Sequence, residues 1–165
     1  MSSPEHKQKI WDLIKHIKTG MLTTHHGNEL RARPMVLVQD EYDGTLWFYT
    51  DLKSEKVFEV ERDHDVCLSF ADPDNQVYVS LTGVGKPTRN KELINKYWNS
   101  FVAAWFPEGK DSANVGMLEV KILKGEHWDS SSSAMVKSVK TMTAKIKGEQ
   151  PDLGEHEKFG TKKGS

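Results

Sequence analysis

The sequence predicts a mostly β domain with peripheral helices, built as a small antiparallel barrel. Three observations carry that expectation. Short runs rich in β-branched and aromatic residues recur along the chain, bounded by turn residues. The turns His26-Gly27-Asn28 and Asp43-Gly44 are hairpin signals, which favour antiparallel neighbours. Alternating strand–helix–strand units, which a doubly wound parallel sheet requires, are absent. A chain of 165 residues is long enough to bury a sizeable core in one domain.

The elements follow in order. Ser3-Pro4 starts a helix, a capping residue followed by proline at the first helical position. Ile10, Ile14 and Ile17 repeat at helical spacing, and Gly20 supplies the stop. Strands are predicted at MLTTH, LRARPMVLVQ and TLWFYT. The segment SEKVFEVER then reads as a helix over 54–62, with Ser54 as its N-cap. DVCLSFA, QVYVSLTGVG and GMLEVKILKGEHW complete the predicted strands. Between the last two, a helix from about Asn90 to Trp105 carries Ile94, Trp98, Phe101 and Trp105 on one stripe. Core packing is the usual fate of such a stripe, and an interface is the alternative, because its aromatic area is large for one edge of a small barrel. Four serines at 130–133 precede a lysine-rich stretch that reads as a short helix. Residues 1–145 are therefore taken as the domain, and 146–165, charged and poor in apolar side chains, as a disordered tail.

Composition excludes several classes. Charged residues make up 28% and apolar ones 36%, with a formal net charge of -1, so no global pull toward nucleic acid is implied. The lysines at 137, 140, 145 and 147 lack stacking aromatics and read as a solvated face. The longest apolar run, Phe101 to Phe106, is far too short to span a bilayer. Cys67 is the single cysteine, and the N-terminus MSSPEHKQK has no apolar signal-peptide core, so a cytoplasmic protein is expected. No metal site is expected, since His25 and His26 are adjacent on a strand and face opposite ways. Neither HExxH, nor paired CxxC, nor a GxSxG elbow is present.

Two constellations remain. Arg31 and Arg33 lie two apart on a strand and so share a face with Met35. Pro34 between them removes a ladder donor, which implies an edge or a bulge. Lys56 falls in the first turn of the 54–62 helix, where the dipole disfavours a cation. Long lysines reach solvent at little cost, and that is the bland reading. The sharper one is an anion such as a phosphate docked on the helix N-terminus, with the arginines converging from the strand.

RPMVLV, followed after about ten residues by WFYTDLKSEKVFEVERDHDVCLSF, resembles the flavin-binding split-barrel superfamily that includes pyridoxamine 5′-phosphate oxidase. AWFPEGKDSANVGMLEVKILKGEHWD is similar to its general stress protein branch in particular. The resemblance implies a six-stranded antiparallel split β-barrel, a homodimer, and FMN, with FAD as a further possibility, in clefts at the dimer interface. By motif, it places the flavin phosphate on Arg33, Ser54 and Lys56. It sets the Arg33–Met35 backbone, Pro34 included, and the Phe48–Tyr49–Thr50 strand along the ring and ribityl chain. Arg31 and Asp51 fall in the same neighbourhood. The second subunit would close the cleft, with the Trp98–Trp105 helix and Trp128 as candidates for that contribution. A phosphate explains Lys56, because charge-assisted bonds outweigh the small dipole penalty.

The sequence departs from the oxidase members in one respect. They read their substrate's phosphate with C-terminal arginines, whereas arginine occurs here only at 31, 33, 62 and 89. Lysine is a poor replacement for a bidentate fork. The expected protein is a flavin-binding general stress protein with an unknown redox partner that does not oxidise pyridoxine phosphate. A true oxidoreductase, of the vitamin B6 oxidase type or acting on another acceptor, and a ligand-free interaction module are the alternatives.

Overall fold

A computed structural model describes residues 4–129 and 155–160 of the chain. Helix α1 (Pro4–Ile17) opens the fold, burying Ile10, Trp11 and Ile14 as the spacing predicts. The chain then reverses at Lys18, whose φ of 69° is left-handed and whose N–H donates to the Ile14 carbonyl. Gly20, predicted as the helix stop, lies instead inside strand β1 (Thr19–His26). A Cβ at Gly20 would sit 2.7 Å from the Phe70 ring, so the residue is small for packing and not for turning.

Strand β2 (Glu29–Val36) pairs back on β1 through the predicted turn. Then come β3 (Thr45–Asp51), helix α2 (Glu55–Arg62), β4 (Asp65–Asp72) and β5 (Val77–Thr88). The long strand β6 (Val115–Asp129) follows two short helices, α3 (Lys91–Tyr97) and α4 (Ser100–Trp105). All pairings are antiparallel, in the order β2-β1-β4-β5-β6-β3. This six-strand path curls into a half-barrel. Pro34 sits where a missing donor is tolerated, because β2 ends the path and pairs only with β1. Inside the curl, Leu22, Phe48, Leu68, Phe70, Leu81 and Leu118 pack against Ile10 and Ile14 of α1 and Val60 of α2.

Two further expectations are corrected. The aromatic stripe forms two helices and not one. Asn99 caps the second, its side-chain oxygen accepting from the Val102 N–H at 2.9 Å, as Asn90 does for Leu93 at 3.2 Å. Asparagine competes with the helical backbone for its own hydrogen bonds, so a mid-stripe Asn99 breaks the run. The second correction concerns the tail. Glu155–Gly160 forms a strand, β7, antiparallel to β6, where composition predicts disorder. The reason is an open edge. β3 covers one side of β6 only from Val115 to Lys121, leaving Lys124–Asp129 to be paired by β7. A ladder needs only backbone groups, so apolar content is a weak guide to it. The lysine-rich helix predicted after Ser133 lies outside the described residues.

Candidate functional site

The loop Asp51–Ser54 sets the site's polar end. Asp51 Oδ1 accepts from the Lys53 N–H at 2.9 Å, and its carbonyl accepts from the Ser54 N–H at 2.9 Å. This tight turn delivers Ser54 to the N-cap position of α2. Its hydroxyl makes no capping bond, contrary to the expected N-cap role. It accepts instead from Lys56 Nζ at 3.4 Å. Lys56 is half-buried, and its pKa is lowered by burial and then by the charge of Arg33, against the smaller opposing pull of Asp51 and Glu59. Among the described residues, no carboxylate lies within ion-pair distance of it.

Arg31 and Arg33 do share a face, and α2 meets that face with two glutamates. Arg31 pairs with the exposed Glu55 at 2.9 Å. Arg33 is more buried. Its Nη2 donates to Glu59 Oε2 at 2.7 Å and its Nη1 to Thr24 Oγ1 at 2.5 Å. The Thr24 hydroxyl donates in turn to Glu59 Oε2, and His26 Nδ1 lies 2.8 Å from Glu59 Oε1. Glu59 is 6% exposed. Burial pushes its carboxyl up, but the bonds from Thr24, Arg33 and His26 outweigh that and hold it below the ordinary carboxylate value.

Beside this cluster, in the gap between the open edges of β2 and β3, lies a cleft of about 450 Å³. Lys56, Thr50 and Asp51 mark its polar end. Pro34, Met35 and Tyr49 line its wall, with Phe101, Trp105 and Phe106 of the α4 region opposite. Tyr49 donates its hydroxyl to the Ile94 carbonyl at 2.5 Å. Its pKa is pushed up to about 12, by burial first and then by Tyr97, which keeps the ring neutral. Trp105, 71% exposed, stands edge-to-face with Phe101 at the mouth, their ring centres 6.5 Å apart.

The fold thus brings Pro34, Met35, Tyr49, Thr50, Asp51, Lys56 and Trp105 to one cleft, with Arg31, Arg33 and Ser54 beside its polar end. Phe48 stands apart, and Trp98 and Trp128, expected to act from a second subunit, lie away from the cleft of their own chain. The Phe48 side chain is fully buried in the core, so only its backbone is available. Trp98 packs edge-on against Tyr49 behind the wall. Trp128 lies near the far end of β6, paired with Tyr78 and away from the segment that pairs with β3. Glu59 and Thr24 escaped the sequence reading. A signal existed, since Glu59 lies between Val57 and Val60 on the buried side of α2, where a carboxylate demands a cation.

Residues 5–152 match the model of the pyridoxamine 5'-phosphate oxidase-like family, and the chain belongs to that family. General stress protein 26 of Bacillus subtilis is 30% identical over 128 residues, spanning 73% of this chain and 86% of that protein. A crystal structure from Jannaschia sp. CCS1, described as a general stress protein 26, superposes with a TM-score of 0.77 at 20% identity. It covers 96% of this chain and 100% of that one. The general stress FMN/FAD binding protein of Xanthomonas citri gives 0.69 at 24% identity, over 79% and 93% of the two chains. The fold is therefore the split barrel of these proteins. No described helix is long and apolar enough to cross a membrane.

Proposed function

We propose that this chain is a flavin-binding general stress protein that holds FMN in the Lys56 cleft. The observation that carries the reading is Lys56 itself. A half-buried ammonium with no carboxylate at ion-pair distance, next to a second cation, is an arrangement that a bound dianion stabilises. Lys56 and Ser54 would hold the phosphate, with Arg33 beside them. The apolar wall from Met35 to Phe106 suits a planar ring system. The Xanthomonas citri neighbour, named as an FMN/FAD binding protein, supports the same reading and leaves FAD as a second ligand to test. When bound, the flavin supplies hydride or electron transfer, and the protein supplies position and electrostatics.

The outer face of the sheet supports a homodimer. The cross-strand rows Pro34–Met21–Ser69–Ser80 and Ala32–Thr23–Cys67–Thr82 carry no charged side chain across four strands. Where the same rows reach β6 they meet Glu126 and Lys124. Half of these side chains are small hydroxyls, and it is the absence of charge, which interface cores share, that suits a second copy. Sedimentation at micromolar concentration should report about twice the chain mass of 18.8 kDa.

Oxidation of pyridoxine phosphate is not expected. A phosphorylated substrate needs a fixed fork to hold its reacting carbon at the flavin. Arg31 and Arg33 face glutamates, and Arg89 donates to the carbonyls of Asp111 and Ser112. One preparation tests both claims. Apo-protein titrated with FMN should quench flavin fluorescence saturably, and no binding at tens of micromolar would overturn the proposal. The loaded protein given pyridoxine phosphate should form neither peroxide nor aldehyde steadily. Turnover above roughly one per second would restore the oxidase reading.

A further inference from the structure

Glu59 has no role in the reading above, yet it bonds Arg33, Thr24 and His26 and stands close enough for its charge to reach Lys56. A buried carboxylate–guanidinium pair is a costly way to fasten a helix to a sheet. Val57 and Val60 already bury the same side of α2, so fastening alone does not require it. The pair does fix direction. With Nη1 on Thr24 and Nη2 on Glu59, the Arg33 guanidinium is held at two points in one plane. Thr24 is itself held by Glu59. Of the five N–H donors of the guanidinium, two are used in these bonds.

We infer that Glu59 is a positioning residue of the phosphate end: acting through Arg33 and Thr24, it aims the remaining guanidinium N–H groups at the anion that Lys56 faces. This inference rests on the phosphate assignment above. A guanidinium left free would spread its charge over many rotamers, and a planar, directional acceptor such as a carboxylate removes that freedom.

The test is the ratio of riboflavin to FMN dissociation constants, which isolates the phosphate. It is measured by flavin fluorescence on apo-protein of wild type, Glu59→Ala, Glu59→Gln and Thr24→Val. Glu59→Ala should lower the ratio about tenfold or more while riboflavin binding stays within about twofold. Glu59→Gln keeps an oxygen that accepts from Arg33 and should hold the ratio within about threefold of wild type. Thr24→Val, nearly isosteric, should lower it in the same direction by less. Equal weakening of both ligands by Glu59→Ala, or a changed melting temperature with an unchanged ratio, would overturn the positioning role. Should Glu59→Ala fail to fold, Thr24→Val decides, and an unchanged ratio there overturns the role as well. A wild-type ratio near one would remove the phosphate assignment, and the role of Glu59 with it.

Discussion

Lys56 lines the cleft and Arg33 stands close enough for its charge to reach Lys56, yet the fold treats the two charges in opposite ways. Arg33 is matched internally by the carboxylate of Glu59, with Thr24 closing the pair. Lys56 is given a serine hydroxyl and a wall, and its pKa is lowered as a result. The first arrangement is complete within the chain. The second leaves the ammonium without an ion pair among the described residues, which is where the proposed phosphate would sit. A cation without an ion pair is a candidate ligand contact, while a paired guanidinium is fixed in place and keeps further donors to offer.

The largest expected effect falls on the matched side. Arg33→Ala removes the shortest cation contact of buried Glu59 and leaves it Arg31 at 3.8 Å and His26 at 2.8 Å, so the loss of folding stability should fall toward the lower end of the about 3–5 kcal/mol that breaking a buried pair costs. Chemical denaturation of the apo-protein measures it. Lys56→Ala should cost within about 0.5 kcal/mol in the same assay, because only a long bond to the Ser54 hydroxyl and no ion pair is lost. Comparable losses for the two variants would erase the distinction between matched and unmatched cations.

A smaller effect sharpens the comparison by pH. Glu59 has a folded pKa below its ordinary value, so its contribution is fully present above that ordinary value and is lost as pH falls through the lowered one. The stability advantage of wild type over Glu59→Gln should therefore shrink progressively on acidification. An advantage that stays constant would mean that Glu59 does not titrate with folding. Lys56 works the other way. An anion raises its lowered pKa, so FMN affinity should fall as pH rises through the value in the free protein. Riboflavin, which lacks the phosphate, should not share that loss.

Much of this arrangement was legible before any coordinates. Period-two alternation put Arg31 and Arg33 on one face, Pro34 marked an edge, and the short loop before Ser54 tied Lys56 to the end of β3. The same alternation, applied to Leu46, Phe48 and Thr50, already points Phe48 into the core. What stayed hidden has physical causes. The partner of Arg33 is 26 residues away on α2, and nothing in a strand pattern says which helix will cover it. The break at Asn99 depends on a capping bond that competes closely with a continuous helix. β7 forms because β6 outruns β3, a fact of sheet geometry that no local composition records.

The unmatched charge of Lys56 is the centre of the account, and titration of Lys56→Ala with FMN and with riboflavin tests it most directly. FMN binding should weaken by about 1.5–3 kcal/mol, the worth of one hydrogen bond to a charged group, or roughly ten- to a hundredfold. Riboflavin binding should stay within about twofold of wild type, since the lost contact is to the phosphate. Equal losses for the two flavins would place Lys56 outside the phosphate site and contradict the assignment of the cleft.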